Sequence, residues 1–139
     1  MEIKIATTDS DILGCWEPIF ALRPMLQKQN LVDLIKTQQT EGYHLLYIED
    51  NGQVVSIAGY RIFSMLYLGK QLYIDDLSTL ESARGNGYAS QLLNHICNIA
   101  KLNDCISVQL DSGPTRQVAH KLYFNEGFTI TSYHFGKNL

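Results

Sequence analysis

The chain has 139 residues, 45% of them apolar and 18% charged, with a net charge of -3. That length suits one domain spanning residues 1–139, able to bury roughly two-thirds of its unfolded surface, and the composition is too apolar for a disordered chain. The charge excludes the clustered basic footprint of a nucleic-acid binder, and no segment reaches the roughly 18 uninterrupted apolar residues of a membrane span.

"EIKIA" alternates as a first strand, and Asp9 offers an N-cap to "SDILGCWEPIFALRP", a helix interrupted by Gly14 and Pro18. "LVDLIKTQQTEG" carries Leu31, Leu34 and Ile35 at helical spacing and stops at Gly42. From Tyr43 the period becomes two. "YHLLYIED", the turn Asn51-Gly52 and "QVVSIAGYRIFSML" read as a hairpin, with "KQLYIDDLSTL" as a further antiparallel strand. Ala89, Leu92, Leu93, Ile96, Cys97 and Ala100 then form one apolar helical stripe. "CISVQLDS" is expected to be a strand, "TRQVAHKLYFNEG" a helix and "FTITSYHF" a last strand. A hairpin leading into a β-α-β crossover implies an α/β fold on a mixed sheet.

The opening "MEIKIATTDSD" has no apolar run of signal-peptide length, so a soluble, cytoplasmic protein is expected. Cys15, Cys97 and Cys105 form no C-x-x-C pair and cannot all be paired within the chain, which suits a reducing compartment and argues against a zinc site. No metal is expected.

The chemistry concentrates at "TLESARGNGYASQLL", where a strand gives way to a helix. Gly85-x-Gly87 would leave backbone N–H groups exposed at a helix N-terminus, where the helix dipole favours an anion, and Arg84 adds a guanidinium suited to phosphate oxygens. A plain tight turn with a solvent-facing arginine is the alternative. A P-loop fails because no lysine follows Gly87. A dinucleotide fingerprint has Ser90 where it needs a third glycine, although Asp111 would suit a ribose contact, and an antiparallel lead-in is foreign to it.

"RGNGYA", Arg84 to Ala89, resembles the [QR]-x-x-G-x-[GA] signature of the GNAT superfamily of acyl-CoA-dependent N-acetyltransferases, and "AHKLYFNEGF", Ala119 to Phe128, is similar to that family's A-x-x-L-Y-x-x-x-G-F block. The resemblance extends to the element order and so covers the whole chain. It implies a central, mostly antiparallel sheet whose fourth and fifth strands splay apart, flanked by about four helices. It further implies acetyl-CoA as co-substrate. The backbone of Leu77, Ser78 and Thr79 would hold pantetheine as an added strand. The amides from Arg84 through Gly85, Asn86, Gly87, Tyr88 and Ala89 would hold the pyrophosphate, with Ser90 offering a hydroxyl.

The implied reaction is direct attack of a primary amine on the thioester. Tyr123 occupies the position of the family's tyrosine acid, which would protonate the leaving thiolate. Asp75 matches an acidic residue that polyamine-acetylating members place near the amine, and is the first choice of base. Adjacent strand residues point to opposite faces, so only one of Asp75 and Asp76 is expected on the acceptor side. His120 and His134 are further candidates. Arg116 stands where many members carry an asparagine that contacts CoA, and could meet a cofactor phosphate or an acidic substrate group instead. Acceptor recognition is expected from Trp16, Phe20, Arg23, Met25, Tyr60 and Tyr67.

The reading is therefore an N-acetyltransferase acting on a primary amine of a small molecule. A peptide or protein amine and a CoA-binding module without turnover remain as alternatives. An open strand edge near "TITSYHF" would suit a homodimer.

Overall fold

The computed structural model describes residues 1–139 as a five-stranded sheet with helices on both faces. Strand β1 (Ile3–Ile5) is followed by helices α1 (Asp9–Gly14), α2 (Trp16–Leu22) and α3 (Leu31–Thr40). Strands β2 (His44–Asp50), β3 (Gln53–Met65) and β4 (Gly69–Thr79) come next, then helix α4 (Tyr88–Leu102), strand β5 (Ser107–Leu110) and helix α5 (Gln117–Asn125). The strands lie in chain order; β1 to β4 pair antiparallel, and only β4 and β5 pair parallel. No helix is long and apolar enough to cross a membrane.

The single interrupted helix expected after β1 is two helices that break at Cys15. Thr8 caps α1 by a reciprocal capping box: its hydroxyl accepts from the Asp11 amide at 3.1 Å while the Asp11 carboxylate accepts from the Thr8 amide at 3.0 Å. The apolar stripe of α4 buries Leu92, Leu93 and Ile96 to within 1% of full burial, a contribution of about 1.5–3 kcal/mol per side chain. These residues join Leu46, Ile48, Leu72, Ile74 and Leu77 in the core on the α4–α5 face. A second core on the other face packs Ile12, Cys15, Leu31 and Ile35 against Leu45, Tyr47 and Ile57.

The expected last strand does not form. Residues 128–139 make no ladder with β5, and Ile130, Tyr133 and Phe135 stand exposed. Period-two alternation marks a chain able to line one face of a sheet, but it does not by itself place the backbone in a ladder. The outer edge of β5 is open.

Candidate active site

Two features of β4 shape the site. Parallel pairing with β5 runs from Gln71–Ser107 to Ile74–Leu110 and ends there, so the strands part beyond Ile74. At that point β4 carries a bulge: Gly59 faces Asp76 and Tyr60 faces Ile74, leaving Asp75 as the extra residue. A bulge bends its strand and redirects side chains. Ile74 and Leu77 both pack into the α4–α5 core, so Asp75 and Asp76 between them both turn to the α1–α3 face. The expectation that only one carboxylate reaches that side is corrected; strict alternation holds only where no residue is inserted.

Each of the two carboxylates is held by an arginine. Arg61 grips Asp75 through Nη2 at 2.7 Å and Nε at 3.0 and 3.1 Å, and also donates to Gln38 of α3. Its guanidinium lies 5.6 Å over the Tyr43 ring, and the Asp75 bonds raise its own pKa further. Arg23, at the end of α2, donates from Nε to Asp76 at 3.1 Å and from Nη2 to the Asp75 carbonyl at 3.0 Å. Tyr43 donates its hydroxyl to the other Asp76 oxygen at 2.8 Å. Burial beside that carboxylate keeps the Tyr43 phenol protonated, well above its usual pKa.

Where β4 and β5 separate, a cleft of about 130 Å³ opens, lined by Arg23, Asp75, Asp76, Asp111, Arg116 and Tyr123 together with apolar strand residues. Tyr123 enters from α5, 8% exposed, its ring set edge-on to Phe128 at 6.0 Å. Burial raises its pKa above 10, and the neighbouring Arg116 guanidinium opposes part of that shift. The phenol therefore carries its proton at neutral pH. Arg116 makes no ion pair with a carboxylate. Asp111 follows β5 and accepts a short hydrogen bond from the Tyr73 hydroxyl.

Beyond the bulge, β4 presents backbone to the opening. The Leu80 amide donates to the Val55 carbonyl at 2.8 Å, and the Ser78 carbonyl accepts from the buried Ser56 hydroxyl at 3.1 Å. The peptide groups of Ser78 and Leu80 thus turn to β3, and strand alternation leaves those of Leu77 and Thr79 toward the cleft. Of the three residues expected to offer backbone, Ser78 faces the wrong way.

The glycine turn has the expected character. Gly85 and Gly87 have φ of 81° and 77°, a region closed to most side chains, and Gly87 is the N-cap of α4 without any side-chain cap. The amides of Gly85, Asn86, Gly87, Tyr88, Ala89 and Ser90 donate to no group in the protein. Six consecutive free N–H groups at a helix N-terminus form an anion cradle. Arg84 is exposed and unpaired beside it, although its own amide is spent on the Glu81 carbonyl at 3.3 Å. The Tyr88 side chain turns inward, donating to Asp50 at 2.7 Å, so only its backbone belongs to the turn. Asn86 closes the turn by donating to the Ala83 carbonyl at 2.9 Å.

These elements decide what the chain is. A family model described as "Acetyltransferase (GNAT) family" matches residues 10–128. The chain belongs to the GNAT acetyltransferase family. It is an acyl-CoA-dependent N-acetyltransferase. Among relatives of this GNAT chain, an uncharacterized N-acetyltransferase, YhdJ of Bacillus subtilis, is 34% identical over 100 residues, covering 71% of this chain and 70% of that one. A putative acetyltransferase from Agrobacterium tumefaciens shares the fold with a TM-score of 0.86 at 23% identity, each chain covered in full. AAC(6')-Iy, solved with the bisubstrate analogue CoA-S-monomethyl-acetylneamine, superposes with a TM-score of 0.81 at 16% identity, over 100% of this chain and 99% of that one.

The remaining candidates divide. Arg23 reaches the cleft, whereas Trp16 and Phe20 stack on each other at 5.1 Å along α2 and Met25 is 73% exposed. Tyr60 is a core residue under His44, and Tyr67 sits at the β3–β4 turn, the opposite end of β4 from the cleft. His120 pairs with the Ser112 hydroxyl at 3.1 Å, and His134 places Nδ1 3.4 Å from Asp111. Sequence reading missed Tyr43, Arg61 and the place of Asp111 in the cleft lining. Arg61 and Asp75 are 14 residues apart on paired strands, and only the hairpin register could have linked them.

Proposed function

We propose that the protein transfers an acetyl group from acetyl-CoA to a primary amine of a small molecule within a ternary complex. The observation that carries this reading is the cleft between the parting ends of β4 and β5, with a protonated Tyr123 on one side and acidic residues on the other. Pantetheine lies along β4 against the outward peptide groups of Leu77 and Thr79, with Ser78 between them facing β3. The pyrophosphate rests on the free amides of Gly85 to Ser90, with the Arg84 guanidinium alongside. Arg116, free of any carboxylate and beside Tyr123, neutralises negative charge on the cofactor side of the cleft.

The ammonium first gives a proton to water, the neutral amine nitrogen attacks the thioester carbonyl carbon, and the C–S bond breaks. The departing thiolate takes the Tyr123 proton, the new amide nitrogen releases its own proton to water, and Tyr123 is reprotonated from water after each transfer. Acid and amine approach from opposite faces of the sheet, so neither blocks the other. Asp75 lines the amine side, but its oxygens accept three bonds from Arg61. Accepting a proton there would break that fork, so Asp75 fixes the acceptor wall rather than serving as the base first expected.

A CoA-release assay tests the reading. Replacing Tyr123 with Phe should lower kcat by about 10²-fold or more while leaving the KM for acetyl-CoA unchanged. An unaltered kcat would remove Tyr123 from the acid role. A protein that binds CoA, seen as a raised melting temperature, but turns over no amine would be a binding module instead.

A further inference from the structure

We infer that Asp111 is the residue that holds the acceptor's ammonium group, and that the acceptor is a small amine bearing a single positive charge rather than a polycation; the inference rests on the proposed acetyl transfer.

Three carboxylates line the cleft, and two are already neutralised: Asp75 by Arg61 and Asp76 by Arg23. Asp111 is the third and has no arginine. One of its oxygens accepts from the Tyr73 hydroxyl; the other has only the exposed His134 imidazole, at 3.4 Å. Strand geometry places this carboxylate on the amine side. Leu110, paired with Ile74, packs on the α4–α5 core with it, so Asp111, the next residue, turns toward the opposite face, where Tyr73 meets it. Tyr123 protonates from the α4–α5 side, so an ammonium on Asp111 sits across the cleft from the leaving sulfur. The Tyr73 bond fixes the carboxylate orientation, leaving one oxygen for a charge-assisted bond to the ligand.

The whole charge inventory limits the acceptor. Arg61 and Arg23 already neutralise Asp75 and Asp76, so Asp111 is the one uncompensated carboxylate of the cleft, and several ammonium groups at once would find no further free negative charge. A second ammonium within the cleft would meet Arg23 or Arg116 instead of a free carboxylate. The volume of about 130 Å³ also favours a compact acceptor.

The test compares n-butylamine, 1,4-diaminobutane and spermidine as acceptors in the CoA-release assay, for the native protein and for Asp111→Asn, with CoA binding followed by melting temperature. Expected are a kcat/KM that falls stepwise from butylamine to spermidine, and an Asp111→Asn variant whose butylamine KM rises roughly tenfold, the loss of one charge-assisted bond. Its kcat and its KM for acetyl-CoA should stay within about threefold, a split that general structural damage would not produce. Spermidine as the best of the three, no use of any of them while CoA still raises the melting temperature, or an unchanged butylamine KM in the variant would overturn the inference and leave the transferase reading standing. No turnover together with no CoA stabilisation would instead defeat the transferase reading itself, and the inference with it.

Discussion

The Tyr43 hydroxyl reaches Asp76 at 2.8 Å by passing directly over Gly59, the residue opposite Asp76 in the β3–β4 register. A Cβ at residue 59 would collide with the Tyr43 hydroxyl and ring. Gly59→Ala should therefore displace Tyr43, leave Asp76 with Arg23 alone, and destabilise the fold by about 1–3 kcal/mol, as overpacking does. Urea unfolding at neutral pH measures it, and a midpoint equal to that of the native protein would show that Tyr43 can move aside freely.

Arg61 and Asp75 form a half-buried pair, each with about a quarter of its side chain exposed. Replacing Arg61 with Gln strands the carboxylate next to Tyr43. The cost should fall at about 1–3 kcal/mol, between the values for exposed and fully buried pairs. With Asp75 as the proposed acceptor wall, the amine KM should rise as well, while the KM for acetyl-CoA should hold. Equal changes in both KM values would show that Arg61 supports the whole sheet opening rather than one wall.

At the glycine turn, a methyl group on residue 85 or 87 would meet no neighbouring atom within 4 Å. The left-handed backbone is the obstacle, at about 1–2 kcal/mol for an alanine. Gly87→Ala should thus fold, but with the turn biased away from the geometry that leaves six consecutive amides free. Isothermal titration should show CoA binding weakened by about tenfold or more. Full affinity in Gly87→Ala would move the pyrophosphate away from this turn.

Cys15 is 0% exposed, and burial pushes its thiol up to about 12, against about 8.5 in an unfolded chain. Its folded pKa is raised, so the associated stability is fully present below about pH 8.5 and is lost as pH rises through about 12. Urea midpoints between pH 8 and pH 11 should decline more steeply in the native protein than in Cys15→Ala. A thiol reagent should reach Cys97 and Cys105 well before Cys15, since those two are only partly buried. Labelling of Cys15 at the same rate without unfolding would contradict the packing of α1 and α2.

The cofactor side was legible in the sequence because it depends on local chemistry. Two glycines ahead of an amphipathic stripe determine a positive-φ turn at a helix N-terminus, and the free amides follow from neighbouring residues alone. The same holds for the Asn51-Gly52 hairpin, the α4 stripe and the position of Tyr123 within its motif. The acceptor side depends on pairings between distant segments. One inserted residue at Asp75 turned two neighbouring carboxylates to the same face, and register then delivered Arg61 and Arg23 to neutralise them. The alternation in "FTITSYHF" described a face, yet the segment makes no ladder with the open edge of β5. Sequence alone determined that a bare turn with positive φ opens α4, because backbone conformation near a glycine is a short-range property. Only the tertiary structure decided that Asp111 keeps an unneutralised carboxylate, because charge compensation is settled by which side chains the fold brings within a few ångströms.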